Sequence, residues 1–301
     1  GCIMCKKMNL VVCDYDDKLV NSNADGFIFN SKEFSCYPSK TMTSTELINL
    51  FPRKSKKKYL LNIDSIIEED EIDTLKKYLQ TFFPLFDYII YSDYAVLLLT
   101  TQMFGDSAKD KLIYDSKTLV CSSKEASMID TKTFISSELS YDEVENILAN
   151  SSDGKIAINV CGFHRIMYSK RPLLSLYNDF SKESILSRNQ MYDLKEEIRS
   201  EKYKIIETEK GTFIYTPYAF YFKKPLSDIK RKVFMLRISN PIIDQKSLSK
   251  YGDLRLLEEL IDLYKDYFEG REVNIDNSLI DFKEGFLTEK LYLLKGARSD
   301  E

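Results

Sequence analysis

The chain is poor in the residues that usually announce a site. It has one histidine, His164, only 10 glycines and 7 prolines, and no cysteine after Cys161. A histidine-rich zinc site is excluded by that single imidazole, and a Ser/His triad could use no base but His164. There is no G-x-S-x-G elbow, no H-E-x-x-H pair and no phosphate-cradling glycine loop. With so little glycine and proline, long flexible linkers are not expected. No apolar run approaches the roughly 18 residues a membrane span requires, and the opening GCIMCKKMNL lacks the basic-then-apolar order of a signal peptide. The expected compartment is the cytosol, without a membrane partner. Residues 1–7, which begin with glycine, are expected to be an appended or disordered start ahead of Met8.

Six cysteines scattered through 301 residues do not make a disulfide framework. Cys2-x-x-Cys5 has metal or redox spacing, but no second pair follows it, so no metal is expected. At 44% hydrophobic and 30% charged residues the chain can bury a substantial core, and its net charge of −4 gives no global attraction to nucleic acid.

Eight short apolar stretches read as strands: 10–13, 26–29, 59–63, 87–93, 111–115, 133–137, 156–160 and 233–238. Between them, helical spacing is clear at 68–83 (Leu75, Tyr78, Leu79, Phe82) and at 253–268 (Leu257, Leu260, Ile261, Tyr264). Ser140 followed by Glu143 is a capping box. Alternation and count point to an α/β fold, a TIM-barrel-like (β/α)8 barrel forming one domain over residues 8–301. The gap between strands seven and eight is too long for one helix. Residues 164–232 are therefore an expected insertion at the C-terminal mouth, with a helix over 188–200 and a hairpin of 203–206 and 212–215 around Glu209–Gly211. The stretch 285–294 has strand character.

Sites in such barrels form where strands end. The strand ends place Asn62, Asp93, Asp115, Glu138, His164 and Arg237 around one mouth. Glu138, Arg237 and His164 are the candidates for chemistry. Asn62, Asp93, Arg165, Lys170 and Arg171 are the candidates for ligand binding, with Arg237 and the 164–171 segment expected to hold a small anion or an RNA phosphate. Any one of these is more often a helix cap or a surface ion pair. The basic runs 53–58, 170–171 and 223–232 fit an RNA partner or plain solubility. Cys161 and His164, three apart, are a weak candidate Cys–His pair.

Ordered motifs give a further indication. Leu60-Leu-Asn-Ile63, Tyr91-Ser-Asp93, Ser137-Glu-Leu-Ser140, Gly162-Phe-His-Arg-Ile-Met-Tyr-Ser-Lys-Arg-Pro-Leu-Leu-Ser175, Glu209-Lys-Gly-Thr212 and Leu236-Arg-Ile238 follow one another in the order and spacing of a known family. From about Met8 onward the chain resembles the U32 family, historically described as collagenase-like peptidases, in a short branch that lacks the family's cysteines. Several better-known members hold an iron–sulfur cluster. Arg165 and Pro172 stand where those members have cysteines, so no cluster and no other cofactor is expected here. The resemblance implies a subunit acting beside a longer, cysteine-bearing paralogue in hydroxylating the wobble uridine of tRNA, with prephenate as the implied oxygen source. A U32 peptidase (a hydrolase) and a non-catalytic scaffold for the paralogue are the alternatives.

Overall fold

Period-two alternation along a strand decides which side chains enter the barrel and which meet the helices. The computed structural model describes residues 9–36, 40–51, 56–183, 185–195, 197, 201–239, 254–276 and 280–288. Cys2, Cys5, Arg53, Asp253 and the apolar run 291–294 lie outside them. The elements are β1 (Leu10–Asp14), β2 (Gly26–Ser31), β3 (Thr41–Met42), α1 (Ser44–Leu50), β4 (Lys58–Ile63), α2 (Ile72–Phe82), β5 (Tyr88–Tyr91), α3 (Tyr94–Phe104), β6 (Leu112–Tyr114), α4 (Ser123–Met128), β7 (Lys132–Phe134), α5 (Tyr141–Ala149) and β8 (Ile156–Ser169). They continue with α6 (Leu173–Ser181), β9 (Met191–Lys195), β10 (Lys202–Thr208), β11 (Gly211–Tyr221), α7 (Ile229–Lys232), β12 (Val233–Ile238), α8 (Arg255–Tyr267) and β13 (Phe282–Lys283).

All eight expected strands form. They run parallel in the order β1, β2, β4, β5, β6, β7, β8, β12, and β12 pairs back to β1, closing a (β/α)8 barrel. One parity fills its interior with Val12, Ile28, Leu60, Ile90, Ile113, Phe134, Ala157 and Met235. The other parity, including Val11, Phe29, Leu61, Ile89 and Leu236, packs against the helices. There α2 contributes Leu75, Leu79 and Phe82, and α8 contributes Leu257, Leu260, Ile261 and Tyr264. Each such side chain taken out of water stabilises by about 1.5–3 kcal/mol, which is why the helices settle where they do. The capping box at Ser140 is present and starts α5, with Glu143 accepting from the Ser140 N–H.

Two residues beyond each interior apolar position, the same face carries Asp14, Asn30, Asn62, Ser92, Asp115, Ser136, Asn159 and Arg237. The barrel therefore ends, at the C-terminal side of every strand, in a layer of polar groups. This layer is the floor of the site.

Beyond the barrel the structure corrects the sequence reading in three places, one of them residues 285–288, expected as strand, which form a turn of 3-10 helix. Strand seven does not end at residue 160: β8 runs on to Ser169 and its outer half pairs antiparallel with β11, which pairs with β10 and then β9. The expected helix over 188–200 is instead the edge strand β9 across 191–195, because pairing with β10 outweighs the helical propensity of that stretch. The helix of this region is α6, laid against β10 and β11. A bulge near Val160 lets β8 leave the barrel. The carbonyl it exposes is taken up by the Phe222 N–H at 2.9 Å and the Tyr264 hydroxyl at 2.8 Å. Gly162 has φ 127°, and a Cβ there would lie 2.7 Å from Ser239 Cβ and 2.9 Å from Ser239 O. Gly162→Ala is expected to destabilise the protein by about 3 kcal/mol through strain and forced displacement of β12. A urea-denaturation midpoint unchanged from wild type would contradict this role for Gly162.

Candidate functional site

Arg237 leaves the last barrel strand pointing into the polar layer and is 3% exposed. A guanidinium held out of water must be neutralised locally. Its NH2 lies 3.5 Å from Asp14 Oδ1 and its NH1 3.7 Å from Asp115 Oδ2. Asp115 in turn receives Lys117 Nζ at 2.6 Å, and the same ammonium lies 3.2 Å from Asp64 Oδ2. The turn after β6 makes this possible. Asp115 Oδ1 accepts the Lys117 N–H at 3.0 Å, and Lys117 sits at φ 67°, folding its side chain back over the strand end. Asp64 Oδ1 is further fixed by the Cys36 N–H at 2.8 Å. The result is a chain of alternating charge, Asp14–Arg237–Asp115–Lys117–Asp64, across the barrel mouth.

Its ends titrate in opposite directions. Burial pushes the Asp14 carboxyl up, and the charge and hydrogen bond of Arg237 only partly offset that. At Asp64 burial also pushes upward, but the charges of Lys117 and Arg165, the Cys36 N–H and the charge of Arg237 outweigh it, leaving the group below the usual carboxylate range. Asp64 therefore contributes stability that is present above its unfolded pKa and lost as pH falls through its lowered folded value. Asp14 contributes stability present below its unfolded pKa and lost as pH rises through its raised folded value.

Above this floor opens a shallow concavity continuous with solvent. Four of the eight candidate residues line it: Glu138, His164, Arg165 and Arg237. Glu138 and Arg237 share the mouth but do not touch, since the arginine is already held by the two aspartates. The Glu138 carboxylate makes no hydrogen bond or ion pair with another described residue, and its backbone N–H donates to Ser136 Oγ at 3.2 Å. Arg165 makes no ion pair with another described residue either; its guanidinium lies 5.2 Å from the Tyr168 ring centre and 6.0 Å from that of Phe213. Tyr168 is itself stacked on Phe213 at 4.9 Å.

His164 packs its ring 4.0 Å from Phe220, and burial brings its pKa down to about 3. The imidazole is thus neutral at physiological pH and brings no positive charge to the mouth. Burial also pushes the Cys161 thiol far up, and no hydrogen bond joins it to His164. The spacing of these two residues does not produce an activated pair.

The other four candidates lie elsewhere. Asn62 is in the polar layer, donating to Asn30 Oδ1 at 2.9 Å. Asp93 caps α3 through the Ala95 N–H at 2.9 Å and accepts the Ile67 N–H at 3.0 Å. Lys170 pairs with Glu68 on the outside, and Arg171 is exposed at the entry to α6, where its carbonyl accepts from Thr212 Oγ1 at 2.8 Å. The basic run 223–232 is split: Lys223 and Lys224 donate their N–H groups to the Tyr141 hydroxyl at 2.8 and 3.0 Å, while at the other end of the barrel Arg231 pairs with Asp228 at 2.9 Å and Lys232 with Asp153 at 3.4 Å. Sequence reasoning left Asp14, Asp64 and Lys117 out of the site, although both aspartates visibly terminate strands. Their inward parity with Arg237 and Asp115 was the available signal.

A family model described as Peptidase family U32 matches residues 16–267. The chain belongs to peptidase family U32. No curated protein and no solved structure matches it significantly. In this U32 chain the segment from Gly162 to Ser175 is the outer part of strand β8 and the start of α6, with Arg165 on the strand and Lys170 and Arg171 in the bend that joins them. Among the described residues no group of three or more His, Cys, Asp or Glu is placed to hold a metal ion. No described helix is long and apolar enough to cross a membrane.

Lys117→Ala would leave Asp64 and Asp115 buried without their shared cation. The expected loss is about 3 kcal/mol at neutral pH, the low end for breaking a buried pair because Lys117 is partly solvated. The loss should shrink on acidification, as the orphaned carboxylates take up protons. Urea unfolding across pH 4 to 7 measures it, and a loss independent of pH would contradict the assignment.

Proposed function

We propose that this U32 chain is a binding subunit of a tRNA-modifying system, working with a cysteine-bearing paralogue in wobble-uridine hydroxylation, and that its barrel mouth holds an anionic group at Arg165. One observation carries the preference for binding over peptide cleavage. Among the described residues the mouth presents a guanidinium outside any ion pair, Arg165, and no activated Cys–His pair: the Cys161 thiol is pushed up and the His164 imidazole is neutral and unconnected to it. The remaining carboxylates favour the same reading. An aspartic dyad needs two carboxylates sharing a proton, and here Arg237 stands between Asp14 and Asp115. The RNA part of the proposal rests on the family and on the ordered motifs from Gly162 to Ser175.

Arg237→Ala is a poor test of this role, since it strands two buried carboxylates. Arg165→Ala is better, because Arg165 has no ion pair to break. In cells lacking the chain, wild type and the exposed control Lys56→Ala should restore wobble-uridine hydroxylation, measured by nucleoside mass spectrometry, and Arg165→Ala should lower it at least about tenfold. Unchanged tRNA in the deletion strain, together with Arg165-dependent cleavage of a collagen-type peptide by the purified chain, would overturn the proposal in favour of a peptidase.

A further inference from the structure

The mouth offers an anionic group one cation, Arg165, and sets a carboxylate beside it. Four carboxylates, Asp14, Asp64, Asp115 and Glu138, stand in or just beneath it against three cations, Lys117, Arg165 and Arg237. Both floor cations are consumed by the three aspartates. What remains outside any ion pair among the described residues is one positive and one negative group: Arg165 on the outgoing part of β8, which rests over the Tyr168 ring and lends its charge to Asp64, and Glu138 just after β7 on the neighbouring barrel strand. A half-buried charge without an ion-pair partner is costly to keep, and a group that completed the pair would bind there for that reason. A dianion or a phosphate would satisfy Arg165 but bring further negative charge against Glu138.

From this we infer that the mouth selects a zwitterion of the amino-acid class, with its carboxylate on Arg165 and its ammonium on Glu138. The fork of Arg165 can engage both carboxylate oxygens. Glu138 accepts from the ammonium. The apolar side chains of Phe163, Ile166 and Phe286 in the same wall give the ligand's body a place to pack, so an aromatic side chain suits the space. The inference deepens the use of the mouth as a ligand site and rests on nothing in the RNA part of the proposed function.

The test is isothermal titration of the purified full chain with four probes of one shape: L-phenylalanine, 3-phenylpropionate, phenethylamine and benzylmalonate. L-phenylalanine should bind most tightly, with about a tenfold loss for each probe lacking one charge, the expected size for one charge-assisted hydrogen bond. Glu138→Gln should erase the advantage over 3-phenylpropionate, and Arg165→Gln the advantage over phenethylamine. A thermal melt matching wild type confirms that each variant folds. Benzylmalonate or 3-phenylpropionate binding as tightly as L-phenylalanine, or no binding of any probe at low-millimolar concentration, would overturn the inference. Because no RNA or partner protein is in the cell, either result leaves the tRNA experiment to stand or fall separately.

Discussion

Arg237 is held almost wholly out of water between Asp14 and Asp115, and much of the mouth follows from that one placement. A second cation, Lys117, is required because three aspartates enter the same region, and it reaches them only because the turn after β6 folds back on Asp115. Such a lattice adds little net stability compared with an apolar layer of the same volume. Its effect is on specificity: it fixes the ends of β1, β4, β6 and β12 relative to one another and sets the charge that any ligand meets. The paired groups are committed to each other, and Arg165 and Glu138 are left to act on something else.

The second organising feature is that one strand serves two sheets. The first half of β8 is a barrel stave, and its second half is the edge on which β11, β10 and β9 assemble. The bulge carbonyl at Val160 would be an unsatisfied acceptor without Phe222 and Tyr264, so the exit of the strand depends on α8 packing correctly behind it. Within the outer sheet Glu207, fully buried, accepts from the Leu174 and Ser175 N–H groups at 2.8 and 2.9 Å and from Arg188 Nε at 2.9 Å. A carboxylate at the N-terminus of α6 complements the helix dipole there and ties the helix to its sheet. Arg165 is carried by this arrangement, which means that the outer sheet positions a mouth residue as well as covering the barrel.

The barrel was legible because its signal is local. Apolar runs such as Leu10–Cys13 and Val233–Ile238, and the capping box at Ser140, state their conformation without reference to distant residues. The outer sheet was not. Residues 188–200 have helical composition, and only the presence of β10 beside them, a tertiary fact, makes 191–195 a strand. At the site, the strand-end rule pointed to Asp115, Glu138 and Arg237, which do stand around one mouth, yet it could not distinguish Asp93, which caps α3, from Asp64, which lies at the same kind of position and faces Lys117. The difference lies in where the next residues turn, and no periodicity reports it. The pairing of Arg237 with Asp14, at the far end of the chain, was hidden for the same reason.

The claim that the mouth is built on a coupled charge lattice is tested most directly by a double-mutant cycle on Arg237 and Asp115, measured by urea unfolding at neutral pH. Arg237→Met alone should cost about 3–5 kcal/mol because it leaves buried carboxylates uncompensated. With Asp115→Asn added, part of that loss should be recovered, giving a coupling of about 1 kcal/mol or more. Additivity of the two substitutions within about 0.5 kcal/mol would contradict the account.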